Sequence, residues 1–211
     1  MTQQKKTRQF NTLTDLMRYL TRGLTTRIGH RLYVWGVHPD FITFTGLVIV
    51  AGAAFVAAHG EFFWAAVIIL AGTPLDAVDG AVARAMQRQD KFGALWDSTL
   101  DRYADGFIFM GLAYYYSDQQ NQTAMLLSMS AMLGSILVSY VRARAEGLNL
   151  DCKVGLFTRM ERVIVILAML VTGWVIPGLW ILAIGTHFTV LQRVWYVNRS
   201  MQRQRTPTNE E

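Results

Sequence analysis

Six apolar runs, at roughly 41–59, 62–83, 93–116, 123–143, 160–175 and 178–197, occupy most of this 211-residue chain. A hydrocarbon layer about 30 Å thick takes about 20 helical residues to cross, and each run is that long or nearly so. In lipid the backbone has no water to bond, so spanning runs of this kind are expected to be helices. Composition agrees, since 52% of the residues are hydrophobic. The sequence therefore predicts an all-α membrane protein of one domain with six transmembrane helices, the fifth span being the shortest.

Acids stand out against that background. The stretch from Asp76 to Asp101 reads DAVDGAVARAMQRQDKFGALWDSTLD and overlaps the second and third runs. On a helix, Asp76, Asp79, Gly80, Ala83 and Arg84 share an arc of roughly 140°, and Gly93, Asp97 and Asp101 line up on the next helix. Each ionised Asp at a membrane centre costs about 2.5–3.5 kcal/mol, so four facing carboxylates require a cation between them. Oxygen-only ligands favour a hard ion, Mg²⁺ or a relative such as Mn²⁺.

The spacing D-x2-D-G-x2-A-R-x8-G-x3-D-x3-D is filled at all its fixed positions, and it resembles the signature of the CDP-alcohol phosphotransferases. Simple salt bridging between acids and neighbouring arginines would not require the two glycines and the alanine. The resemblance implies displacement of CMP from a CDP-activated lipid by an alcohol. It also implies a pair of metal ions on Asp76, Asp79, Asp97 and Asp101, with Asp101 as the general base. Gly80 and Ala83 would let the nucleotide approach closely, and Arg84 would grip a phosphate. The segment HPDFITFTGL is similar to the family's Pro-Asn-x-x-Thr element, with Asp40 where Asn is common and Thr43 matching. Asp90 stands where Ser or Thr is usual, and Asp40, Thr43 and Asp90 are expected to touch the CDP-lipid. The resemblance further implies a homodimer.

For the acceptor, SYVRARAEGLNLDCKVGLFTRMER resembles the matching stretch of phosphatidylinositol phosphate synthases and their archaeal-lipid relatives. Ser139, Arg142, Arg162 and Arg193 match the positions that hold the acceptor phosphate there, with Arg159 in reserve. The expected substrates are thus CDP-diacylglycerol and myo-inositol 1-phosphate. Phosphatidylglycerophosphate synthesis from glycerol 3-phosphate is the alternative, although the Gly-Lys-x-Lys-Thr-like element usual in that branch is missing. The same arginines could instead serve as anchors for anionic lipid heads. A cation transporter or an inactive scaffold is the more distant alternative, but its acids would more often follow a path through several helices.

Charge gives the expected topology. Connections at 59–62, 117–122 and 173–178 contain no Lys or Arg, whereas the N-terminal segment carries seven of the chain's 20. The others gather at Arg84–Lys91, Arg142–Arg162 and Arg193–Arg205, leaving only Arg102 apart. Both termini and the acidic site are then cytoplasmic, in a multi-pass protein of the cell (inner) membrane. The net charge of +5 is used in this way and not for nucleic acid. Residues 1–36 are polar and basic, which argues against a cleavable signal peptide. Within them 11–36 read as an interfacial amphipathic helix. The resemblance implies that residues 37–199 form the transferase domain, and 200–211 are expected to be a disordered cytoplasmic tail.

Several residues have plainer expected roles. Asp105 continues the row of Asp97 and Asp101 and would pair with Arg102 or Arg142. His30, His38, His59 and His187 lack metal-ligand spacing and read as interfacial or packing residues. Tyr114–Tyr116, Trp174, Trp180 and Trp195 fall near run ends as an aromatic belt. The single cysteine, Cys152, excludes an intrachain disulfide.

Overall fold

The computed structural model describes residues 38–85 and 91–205 together with Arg31, Val34 and Gly36; of 74–81, 83–85 and 203–205 it describes the helical backbone alone. The predicted amphipathic helix at 11–36 lies outside the described residues, apart from those three positions, and so do Asp90 and 206–211. Among the described residues every regular element is an α-helix: α1 Pro39–Ala58, α2 Phe62–Ala85, α3 Lys91–Asp118, α4 Gln122–Glu146, α5 Arg159–Thr172 and α6 Val175–Arg205. Three of them, α1, α4 and α6 up to Gln202, are long and apolar enough to cross a membrane.

The helix ends follow local chemistry. Asn121 caps α4 by accepting from the Ala124 N–H at 3.0 Å. Gly173, at φ +75°, ends α5 in the left-handed conformation that glycine tolerates best. The 14 residues of α5 reach only about 21 Å, short of the hydrocarbon thickness. The sequence suggests a connection running to Gly178, but α6 already begins at Val175. Pro177 fits there because a first helical turn needs no N–H from it. Gly178 is needed for space, since a Cβ would come within 2.5 Å of the Met169 side chain. At its far end α6 runs past Arg199 to Arg205 through residues that favour helix.

The chain divides into two compact units, residues 1–46 with 73–97 and residues 47–72 with 98–211. In the first, Asp40 lies in the opening turn of α1, 3.4 Å from His38 Nδ1. Thr43 donates back to the Pro39 carbonyl at 3.2 Å.

The second unit holds the main core, built around small residues: Ala53, Ala54, Ala57, Ala65, Ala66, Ala124, Ala131 and Ala183 are buried in it. Small side chains let helix backbones approach, which is how helices gain packing energy where lipid supplies no hydrophobic drive. Gly111 of α3 lies against α1, where a Cβ would come 2.3 Å from the Ala54 carbonyl oxygen. Gly134 of α4 does the same against α6, where a Cβ would come 2.0 Å from Thr186 Oγ1. Thr186 itself is satisfied by the Leu182 carbonyl at 2.7 Å. Large apolar side chains such as Phe55, Phe63, Trp64, Leu133, Ile184 and Leu191 point outward, a surface suited to lipid. The predicted aromatic belt is split: Tyr114, Trp174, Trp180 and Trp195 are exposed, but Tyr116 is buried. Tyr115 packs edge-on against Phe62 at 4.9 Å, because α2 starts beside it and covers that face.

Candidate active site

Helical spacing brings one charged face from each of four helices to a single cavity of about 180 Å³. α3 supplies Asp101, Arg102 and Asp105; α4 supplies Val138, Ser139 and Arg142; α5 supplies Arg159 and Arg162 behind its N-cap Thr158; α6 supplies Arg193. Five arginines thus face two aspartates. The cavity is smaller than the roughly 300–1,000 Å³ typical of drug-sized ligands, which suits a small anion.

The start of α5 explains much of this geometry. T-x-x-E at Thr158–Glu161 has capping-box spacing, and here the Thr158 hydroxyl donates to the Glu161 carboxylate. A helix N-terminus favours anions and disfavours cations. Arg159 and Arg162, both near the start of α5, therefore need nearby negative charge, and α3 provides it. Arg159 Nη2 lies 2.7 Å from Asp101 Oδ1, and Arg162 Nη2 lies 2.8 Å from Asp105 Oδ2. Arg102 is 3.9 Å from Asp101 and also donates to the Ser98 carbonyl.

The expectation that Asp105 pairs with Arg102 or Arg142 is corrected here, because its partner is Arg162. Arg142 turns instead along its own helix to Glu146, one turn on, at 2.9 Å. Arg193 is buried, and donates from Nε to the Val154 carbonyl at 2.8 Å and from Nη1 to the Val138 carbonyl at 2.5 Å. Arg162 is buried as well, and its Nε has no hydrogen-bond partner. A buried donor left unpaired costs about 1–3 kcal/mol, more when charged.

Residues 36–191 match the CDP-alcohol phosphatidyltransferase family along most of the chain. The chain belongs to that family. Among its relatives, the archaetidylinositol phosphate synthase of Methanothermobacter thermautotrophicus is 38% identical over 164 residues, covering 75% of this chain and 82% of that one. The phosphatidylinositol phosphate synthase of Streptomyces avermitilis is 37% identical over 181 residues, covering 78% and 73%. The crystal structure of the Mycobacterium tuberculosis phosphatidylinositol phosphate synthase with CDP-DAG bound superposes with a TM-score of 0.78 at 29% identity. It covers 82% of this chain and 92% of that one. The same enzyme in complex with manganese and citrate gives a TM-score of 0.77.

In this transferase Asp76, Asp79, Gly80, Ala83 and Arg84 fall on α2, where only the backbone is described. Gly93, Asp97 and Asp101 follow at four-residue intervals along α3, with Asp97 exposed and Asp101 half-buried. Among the described residues no three His, Cys, Asp or Glu side chains come together as a metal site, but the side chains of Asp76 and Asp79 are not in that set. The cavity gathers Ser139, Arg142, Arg162 and Arg193, and Arg159 with them. Sequence reasoning gave no site role to Arg102 or Thr158. The available signals were the arginine adjoining Asp101 and the capping spacing just ahead of Arg159. His59 and His187 bond the carbonyls of Phe55 and Ala183 one turn back along their own helices.

Proposed function

We propose that this transferase moves the phosphatidyl group of CDP-diacylglycerol onto a hydroxyl of myo-inositol 1-phosphate, with release of CMP. The observation that carries this reading is that the Asp101 carboxylate and five arginines line one small cavity. A dianionic acceptor needs several cations, and an acid beside them can receive the proton of its attacking hydroxyl. The names borne by the archaeal and actinobacterial relatives support the same acceptor.

Arg142, Arg162, Arg193 and Ser139 hold the acceptor phosphate, with Arg159 close enough to join them. Once Arg159 exchanges Asp101 for that phosphate, the carboxylate is open to the hydroxyl. Asp101 takes the proton as the new oxygen–phosphorus bond forms, and the bond from that phosphorus to the CMP oxygen breaks. Thr43, Asp40, Gly80, Ala83, Arg84 and Asp90 hold the CDP-lipid. The donor set Asp76, Asp79, Asp97 and Asp101, all oxygen, fits Mg²⁺ or Mn²⁺, which would neutralise the diphosphate and stabilise the leaving oxygen.

In the membrane we place six spans, adding α2, α3 and α5 to the three long apolar helices. The amphipathic segment 11–36 lies on the cytoplasmic face, as do both termini and the cavity, in a homodimer in the cell membrane. An acceptor screen with purified protein, CDP-diacylglycerol and labelled alcohols, read as CMP release, tests the function. Myo-inositol 1-phosphate should be used best and free myo-inositol poorly. Faster turnover with glycerol 3-phosphate would overturn the acceptor and leave the transferase reading standing.

A further inference from the structure

Asp105 lies beyond the last acid of the D-x2-D-G-x2-A-R-x8-G-x3-D-x3-D signature, yet with Arg162 it forms the most buried of the ion pairs that line the cavity. Its Oδ2 accepts from Arg162 Nη2 at 2.8 Å across 57 residues of sequence. The Arg162 side chain is 3% exposed and that of Asp105 17%. The other guanidinium contacts are weaker: Nη1 reaches the Phe157 carbonyl at 3.4 Å, and Nε has no partner. A guanidinium fixed at one nitrogen keeps its plane and presents the rest of its fork in a set direction.

We infer that Asp105 is a positioning residue for the acceptor: its ion pair fixes the Arg162 guanidinium where it lines the cavity, set to meet the acceptor phosphate. This rests on the acceptor reading above. The carboxylate itself would repel a phosphate, so its contribution is orientation, working against its own charge. That opposition makes it separable from a purely electrostatic or a purely structural role. Isosteric Asn keeps an oxygen for Nη2 and loses the repulsion, whereas Ala removes the tether.

The test uses the full-length protein and CMP release, varying myo-inositol 1-phosphate at saturating CDP-diacylglycerol and then the reverse, with thermal melting alongside. Asp105→Ala should raise the acceptor KM roughly tenfold and leave the donor KM and kcat within about twofold. Asp105→Asn should recover most of that loss. In an Arg162→Ala background Asp105→Ala should add nothing, because residues acting through one group are not additive. If the Ala variant cannot be purified, Asp105→Glu keeps the charge but moves it by one methylene, and the acceptor KM should still rise severalfold. An unchanged acceptor KM in that variant overturns the proposal. So does a parallel loss toward donor and acceptor with a lowered melting point, a lower acceptor KM in both Ala and Asn variants, or an additive double mutant. An Arg162→Ala protein with normal acceptor KM would remove the acceptor reading and this proposal together. A strong Arg162 effect with a silent Asp105 overturns this proposal alone.

Discussion

The inner wall of the cavity and its rim carry the same residue type in opposite circumstances. On the wall, Arg162 and Arg193 are buried and tied to the Asp105 carboxylate and to the carbonyls of Phe157, Val154 and Val138. On the rim, Arg142 and Arg159 have half-exposed side chains and hold Glu146 and Asp101. A buried cation must be held by fixed partners before any ligand arrives, because leaving it unpaired is expensive. An exposed one loses little by changing partner, since surface ion pairs are worth about 0–1 kcal/mol. The wall is therefore preset, and the rim is free to exchange one anion for another.

The largest expected effect falls on one of two carboxylates that lie one turn apart on α3. Asp101→Asn removes the proposed proton acceptor, so turnover should drop by orders of magnitude with CDP-lipid binding largely kept. Asp105→Asn should be mild on every parameter. Equal effects at the two sites, in CMP release and donor-binding assays, would erase the distinction between a chemical acid and a positioning one.

Next come the wall cations. Arg162→Ala leaves Asp105 without its partner, and Arg193→Ala releases two buried carbonyls. Each should raise the acceptor KM about ten- to a hundredfold, since charge-assisted bonds contribute roughly 1.5–3 kcal/mol. Each should also lower the melting temperature, which Arg142→Ala should not. Arg142→Ala should raise the acceptor KM severalfold. Added salt should weaken acceptor binding less in that variant than in the parent, because exposed charges are the ones that salt screens. Acceptor titrations at two ionic strengths with melting curves check this; a destabilised Arg142→Ala protein would move that arginine to the wall.

How far this was legible from sequence depended on distance along the chain. The family is readable because its signature is a fixed spacing at 76–101 within two adjacent helices, and three of the six apolar runs announce helices long and apolar enough to cross a membrane. The Asp105–Arg162 pair is not, because its partners lie 57 residues apart and the nearer Arg102 and Arg142 are equally plausible on charge. Arg142 finds Glu146 on its own helix, a pairing that i,i+4 spacing could have supplied. The packing of Tyr115 depends on how α2 begins beside it, at Phe62, which no local pattern in the tyrosine run records. Pro177 and Gly178 read as a connection, but the first belongs to a helix start and the second to a close contact with Met169.

The smallest effect tests whether the wall also organises the segment between α4 and α5. Cys152 is fully buried with Ala145 and Leu150, against Val154, Val197 and Met201. Burial pushes its thiol above the ordinary range, an effect that the charges of Arg193 and Arg142 oppose in part. Less thiolate is then present at any pH below that raised value, so a water-soluble maleimide at pH 8 should label Cys152 slowly. Arg193 holds this segment through the Val154 carbonyl. Arg193→Ala removes one favourable charge, which alone would slow labelling further, but it also frees the segment that buries the thiol. Because burial is the larger cause, labelling should quicken severalfold. Arg142→Ala removes charge and no anchor, so its rate should stay flat or fall slightly. Faster labelling in Arg142→Ala than in Arg193→Ala would assign the anchoring role to the rim and reverse the contrast between the two sides of the cavity.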